Sequence, residues 1–121
     1  MATENDEGRA LKRQKIDSEL VYSLARQIPK GKVTSYGELA AAVGQPKAAR
    51  AIGSIMHVNP YAPVVPCHRV VHRDGRIGGF GDRRGVARKI ELLAAEGVRV
   101  EGGRVKDFKR IYFDGFKTRP S

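Results

Sequence analysis

Residues 31 to 56 read GKVTSYGELAAAVGQPKAARAIGSIM, and the punctuation of this stretch decides the fold class. Ser35 followed three residues later by Glu38 is a capping box, in which each side chain satisfies a backbone donor at the other position. It opens a short helix from Tyr36 to Val43, which Gly44 closes. Pro46 suits the first turn of the next helix, because the N–H it lacks would be unpaired there anyway, and that helix is expected from about Pro46 to Met56. Two short helices joined by a glycine-containing turn form a helix-turn-helix, whose second helix docks on DNA. An ordinary helical hairpin shows the same pattern. The second helix carries Ala48, Ala49, Ala51, Gly53 and Ser54 around Arg50, so it can approach a groove closely, and it has no Asn or Gln to read base edges. Binding through phosphates and shape, with little sequence preference, is the expectation.

On the N-terminal side, Leu20, Val21, Leu24, Ala25 and Ile28 recur at helical spacing from an N-cap at Ser18 until Pro29 and Gly31 stop them. Residues 1–15 are polar and end in Arg9, Lys12, Arg13 and Lys15, which reads as a flexible basic arm over 1–16 preceding one domain over 17–121. The arm is a solubilising tail, a phosphate-grasping segment or a targeting patch. On the C-terminal side, Val64 to Val71 is an apolar stretch broken by polar residues, and Asp74-Gly75 is a turn. Gly78, Gly79 and Gly81 around Phe80 form a loop able to take positive φ and approach a ligand. Val86, Ile90, Leu93 and Ala94 define a last helix ending before Gly97, and Val98 to Phe108 alternates about Gly102-Gly103 as a hairpin. No element is assigned beyond Ile111. The fold class is mainly α with small β elements, a winged-helix-like helix-turn-helix DNA-binding domain.

Composition narrows the function. The 121 residues carry 23 Lys and Arg against 13 Asp and Glu, a net +10, which favours a polyanionic partner, nucleic acid ahead of an anionic membrane surface. No run approaches the length needed to span a bilayer and the N-terminus has no apolar signal core, so no membrane association and an intracellular site are expected: cytoplasm or nucleoid, or nucleus in a eukaryote. A single cysteine cannot form an internal disulfide. Three histidines, of which His68 and His72 flank that cysteine, make a closed zinc site improbable; neither metal nor cofactor is expected.

A lone cysteine is more often an inert buried hydrophobe than a nucleophile. The neighbours of Cys67 shift that balance. His68 is adjacent, Arg69 follows, and Glu96 lies on a helix that could fold back, which supplies the parts to deprotonate a thiol and stabilise the thiolate.

Pro66-Cys67-His68-Arg69-Val70-Val71 resembles the active-site signature of the O6-alkylguanine-DNA alkyltransferases. Gly31-Lys32-Val33, Ser35-Tyr36-Gly37-Glu38-Leu39-Ala40 and Pro46-Lys47-Ala48-Ala49-Arg50-Ala51-Ile52-Gly53 resemble that family's helix-turn-helix. Asn59-Pro60 precedes the cysteine at similar spacing, and Leu92-Leu93-Ala94-Ala95-Glu96-Gly97 is similar to the family's closing helix. The resemblance covers roughly residues 18 to 97. The N-terminal domain of many members has no counterpart here, which implies a minimal form without that domain's occasional metal site.

What the resemblance implies is direct repair of O6-alkylguanine in double-stranded DNA by a monomer, one lesion per protein molecule. Cys67 would be the nucleophile, His68 would take its proton through a water, Glu96 would orient the imidazole, and Asn59 would brace the turn. Tyr36 would protonate the guanine ring and crowd the adjacent phosphate. Arg50 would replace the flipped nucleotide in the stack, and Ser35, Lys47, Ala48 and Ala49 would contact DNA. The carbonyls of Cys67 and Val70 would accept the guanine amino group, with Met56 and Phe80 as apolar walls and the backbone at Gly81 near the alkylated oxygen. Plain readings stand beside these: a surface phosphate contact for Arg50, core packing for Met56 and Phe80. Phe80-Gly81 replaces the family's tyrosine and serine, and Asp82-Arg83-Arg84-Gly85 replaces its glycine-rich continuation, which bears on lesion preference. Two rivals remain: an alkyltransferase-like protein that flags lesions without repair, though such proteins usually carry tryptophan for the cysteine, and a helix-turn-helix module whose cysteine is inert or redox-sensing.

Overall fold

A computed structural model describes residues 16–77 and 83–117, with only the backbone at 83 and 84. The basic arm through Lys15 and the loop residues Gly78 to Asp82, including the expected base-pocket residues Phe80 and Gly81, lie outside the described residues.

Helix α1 spans Ser18–Ala25. Its N-cap is Asp17, not Ser18: the Asp17 carboxylate accepts from the backbone N–H of Glu19 at 2.9 Å and of Leu20. The helix also ends before the last apolar residue of its pattern, and Ile28 reaches the core from a tighter turn in which its N–H donates to the Ala25 carbonyl. Strand β1 (Thr34–Ser35) leads directly into α2 (Tyr36–Ala42), and α3 spans Ala49–His57. The expected start of α3 at Pro46 is wrong by three residues. Residues 46 to 48 form a turn closed by Ala48 N–H to the Gln45 carbonyl, and Ala48 caps α3 without any side-chain bond.

The capping box at Ser35 and Glu38 is half formed. Ser35 Oγ accepts the Glu38 N–H at 3.0 Å, as the spacing demands, but the Glu38 carboxylate accepts from the Tyr112 phenol at 2.9 Å. Tyr112 also bonds Ser35 Oγ at 2.7 Å. Ser35→Ala is therefore expected to cost about 1 kcal/mol, lowering the melting temperature by roughly 4 °C; a thermal melt with no shift would show that the cap adds no net stability.

A single 3-10 turn, Cys67–Arg69, precedes β2 (Val70–Val71), which pairs in parallel with β1, Thr34 opposite Val70 and Ser35 opposite Val71. Helix α4 (Arg83–Ala95) ends at Gly97, whose φ of +85° is the left-handed C-terminal stop glycine provides at least cost. The expected hairpin follows as β3 (Val100–Glu101) and β4 (Arg104–Val105) about Gly102-Gly103. The chain beyond Ile111, left unassigned from sequence, returns to β1: Val33 donates to the Ile111 carbonyl, Phe113 donates to the Val33 carbonyl, and Thr34 Oγ1 donates to the Phe113 carbonyl.

The β1–β2 pair separates two cores, because successive strand residues face opposite sides. Val70 joins Val21, Leu24, Leu39, Ile52 and Met56 between α1, α2 and α3; Val71 joins Val33, Ile77, Leu93, Val105 and Ile111 under α4 and the hairpin. Among the described residues, four α-helices with two small sheets make a mainly helical fold, with α2 and α3 as its helix-turn-helix. Among the described residues, no helix is long and apolar enough to cross a membrane.

Candidate active site and DNA-facing cleft

Cys67 opens the 3-10 turn, its N–H bonded to the Val65 carbonyl at 2.8 Å, and its side chain packs in the α1–α3 core with Tyr22, Met56 and Val70. The residue is 6 % exposed, so the thiol is almost wholly withdrawn from water. A 3-10 turn rotates successive residues by about 120°, and His68 accordingly bonds a different element: its Nε2 lies 2.9 Å from Glu96 Oε2, beyond the end of α4.

Arg69 fixes that carboxylate. Its Nε donates to Glu96 Oε1 at 2.8 Å, its Nη2 to Oε2 at 2.6 Å, and its Nη1 to the Ile28 carbonyl at 2.7 Å. Arg69 was grouped by sequence with the parts able to stabilise a thiolate; the structure commits it to Glu96. Burial pushes the Glu96 pKa up, but the hydrogen bonds from Arg69 and His68 outweigh it and hold the carboxyl at about 2. An ionised carboxylate only accepts, so His68 carries its proton on Nε2 and Nδ1 is the basic nitrogen. Nδ1 is buried and has no hydrogen-bond partner among the described residues. Burial lowers the His68 pKa against the opposing pull of Glu96, which favours the neutral imidazole.

Asn59 spans the loop before the cysteine: Nδ2 donates to the Val65 carbonyl at 2.8 Å and Oδ1 accepts the Tyr61 N–H at 2.9 Å. Val70 is fully buried, and its carbonyl, assigned by resemblance to the guanine amino group, accepts Lys89 Nζ at 2.7 Å. Lys89 is the residue that sequence reading missed as part of a site. Val86, Lys89 and Leu93 are spaced three and four residues apart, hence on one face of α4, and a lysine on that apolar stripe was the available signal. Its ammonium also reaches the Ile77 carbonyl at 3.3 Å and the Tyr36 hydroxyl at 3.4 Å, and lies 5.7 Å from the Tyr36 ring centre. Burial pushes Lys89 down to about 8, opposed by the charge of Cys67. Burial and then the same cysteine charge raise Tyr36 to about 12.

Tyr36 is also a wall of a cleft of about 670 Å³, with Gly37 beside it, Arg50, Gly53 and His57 along α3, and His72 and Arg73 opposite. The Tyr36 ring meets His72 edge-on at 5.4 Å and faces Gly53, where a Cβ would sit 4.0 Å from the ring. Arg50 is exposed on α3; Ala48 and Ala49 are half-exposed and Lys47 exposed at its approach. Ser35 is 1 % exposed with its hydroxyl committed to Glu38 and Tyr112, so its side chain does not face this cleft. Met56 is buried against Cys67 and Val70. His57 and Tyr112 were not singled out from sequence, and His72 and Arg73 were given no site role there.

A helix-turn-helix with a basic cleft, together with a buried thiol one residue from a carboxylate-oriented histidine, points to a class of DNA-binding domain. The comparisons with known proteins agree with it. Residues 17–98 match the family described as 6-O-methylguanine DNA methyltransferase, DNA binding domain, and the chain belongs to that family. It is 49% identical over 77 residues to a methylated-DNA–protein-cysteine methyltransferase of Salmonella typhimurium, covering 64% of this chain and 44% of that protein. It is 39% identical over 98 residues to a bifunctional methyltransferase/endonuclease of Thermoplasma volcanium, covering 81% of this chain and 30% of that protein. The chain thus spans less than half the length of these relatives. Among solved structures, S. pombe Atl1 in complex with damaged DNA containing O6-carboxymethylguanine superposes with a TM-score of 0.70 at 35% identity, over 79% of this chain and 93% of Atl1.

Proposed function

We propose that the protein repairs DNA directly, moving the alkyl group of O6-alkylguanine irreversibly onto Cys67, as a monomer on duplex DNA with the damaged base flipped out of the stack. The observation that carries this reading is the oriented base beside the thiol: Glu96 fixes the His68 tautomer and leaves Nδ1 as acceptor, one residue from Cys67. The Cys67 proton passes to His68 Nδ1 by way of a water, and Glu96 stabilises the imidazolium that results. The thiolate attacks the alkyl carbon; the S–C bond forms as the C–O6 bond breaks, and the electron pair leaves with the guanine.

Tyr36 gives its phenol proton to the ring of the departing base, and Lys89, 3.4 Å away, replaces that proton and sustains the phenol. A phenol with a pKa of about 12 stays protonated until the base demands the proton, which suits a donor that acts only in the transition state. Arg50 fills the stack vacated by the base, offsetting part of an unstacking cost of a few kcal/mol. The product is a thioether, and no described group is placed to remove its alkyl, so each molecule acts once.

The test is intact-protein mass after mixing with a duplex carrying one O6-methylguanine, with peptide mapping and Cys67→Ala as control. One methyl increment on Cys67, saturating at one per protein and absent from the variant, is expected. Lesion binding with no mass change would establish the second reading, a lesion-flagging protein, which the similarity to Atl1 over 93% of that chain supports.

A further inference from the structure

We propose that the turn from His72 to Arg76 is a phosphodiester seat, in which Arg73 holds a backbone phosphate of the DNA strand lying in the cleft, across from Arg50. This rests on the DNA-binding part of the proposed function and names a contact that the helix-turn-helix alone does not supply.

The turn is firmly built. His72 N–H donates to the Arg76 carbonyl and Gly75 N–H to the His72 carbonyl, both at 2.9 Å. Gly75 sits at φ +89°, and a Cβ there would come 3.3 Å from the Phe108 ring, so the turn needs glycine on both counts. The β3–β4 hairpin then staples it from below: Val105 N–H donates to the Gly75 carbonyl, Ile77 N–H to the Gly103 carbonyl, and Arg104 Nη1 to the Asp74 carbonyl. Such a turn presents its exposed side chain from a fixed backbone at little ordering cost, as a phosphate contact requires.

Its charges are arranged for an anion. Asp74, the turn's one carboxylate, is engaged by Arg76 Nε at 2.9 Å and approached by Arg104 Nη1 at 3.7 Å. Arg73 is exposed and has no carboxylate within 4 Å among the described residues. Its guanidinium lies across the first turn of α2, with Nη2 3.2 Å from where a Cβ on Gly37 would stand. The cleft beside it is lined by Arg50 and His57 of α3 and by His72 and Arg73 of the turn, and among the described residues no Asp or Glu lines it. Two guanidiniums and Tyr36 lining one cleft, with no acid among its described lining residues, suit a DNA strand whose phosphates run past a flipped nucleotide.

The test is the salt dependence of binding to an undamaged duplex, measured by fluorescence anisotropy. Each neutralised phosphate contributes about 0.9 to the slope of log K against log salt. Arg73→Gln should lower that slope by about 0.9, Arg73→Lys should keep it, and Arg110→Gln, whose wild-type side chain is already paired with Asp107, should leave it as it is. An unchanged slope in Arg73→Gln, or an equal fall in Arg110→Gln, overturns the seat. The undamaged duplex carries no alkyl group, so the result stands whether or not Cys67 reacts, and a failure of repair is distinguishable from a failure of the seat.

Discussion

Glu96→Gln is expected to slow alkylation of Cys67 by about 100-fold or more, the low end of what a positioned general base contributes. The amide is nearly the same size but carries no charge. His68 loses the anion that orients Nε2 and stabilises its imidazolium, and Arg69 loses the carboxylate on which two of its bonds end. The same change should destabilise the fold by roughly 3 kcal/mol, the scale for leaving a buried charge without its partner. Single-turnover rates on an O6-methylguanine duplex, with melts in parallel, separate the two effects. Full rate in the variant would remove His68 from the proton path. The pH dependence follows from the same pair. Folding holds the Glu96 pKa at about 2, below the usual 4.5 for this group, so its contribution to stability is fully present above pH 4.5 and is lost as pH falls towards 2. Acid melts of the wild type should show that loss, and those of Glu96→Gln should not.

Lys89→Met is expected to cost at least tenfold in transfer rate while leaving the thiol in place. Methionine fills the stem's volume, but the ammonium 3.4 Å from the Tyr36 hydroxyl is gone, and the carbonyls of Val70 and Ile77 lose a donor. The sign of the pH effect distinguishes this role from packing. With a pKa of about 8, the lysine is charged below pH 8 and neutral above it, so wild-type transfer should decline as pH rises through about 8 and the variant should lack that decline. Stability moves the other way. Burying the ammonium lowers its pKa from 10.5, so the charged form is disfavoured in the fold and this group adds stability as pH rises from 8 to 10.5. A variant with the wild-type rate and wild-type pH profile would leave Lys89 a purely structural role.

How much of this was legible in the sequence depends on how local each signal was. The Ser35–Glu38 spacing and Gly44 placed α2 within one residue, and Gly102-Gly103 placed the hairpin, because caps and tight turns are decided by neighbours in the chain. Pro46 misled because a proline that fits a helix's first turn fits an ordinary turn as well. The Glu38 carboxylate went to Tyr112, 74 residues away, which no capping rule anticipates. At the candidate site the reactive types, Cys67, His68 and Glu96, stood out by chemistry. The pairings that tune them did not. Arg69 on Glu96 and Lys89 on Val70 are pairings across elements, visible only once α4 lies against β2.

The stretch that matches the family ends at residue 98, yet the second core does not. Val105 and Ile111 complete it, and Tyr112 and Phe113 tie down the backbone immediately before Tyr36. The stretch that matches the family is therefore shorter than the segment that folds. A piece cut at the end of the shared part would leave Val33, Val71, Ile77 and Leu93 facing solvent and release the end of β1 that aims Tyr36. Where the domain can be trimmed is set by the second core and not by the bounds of the family match.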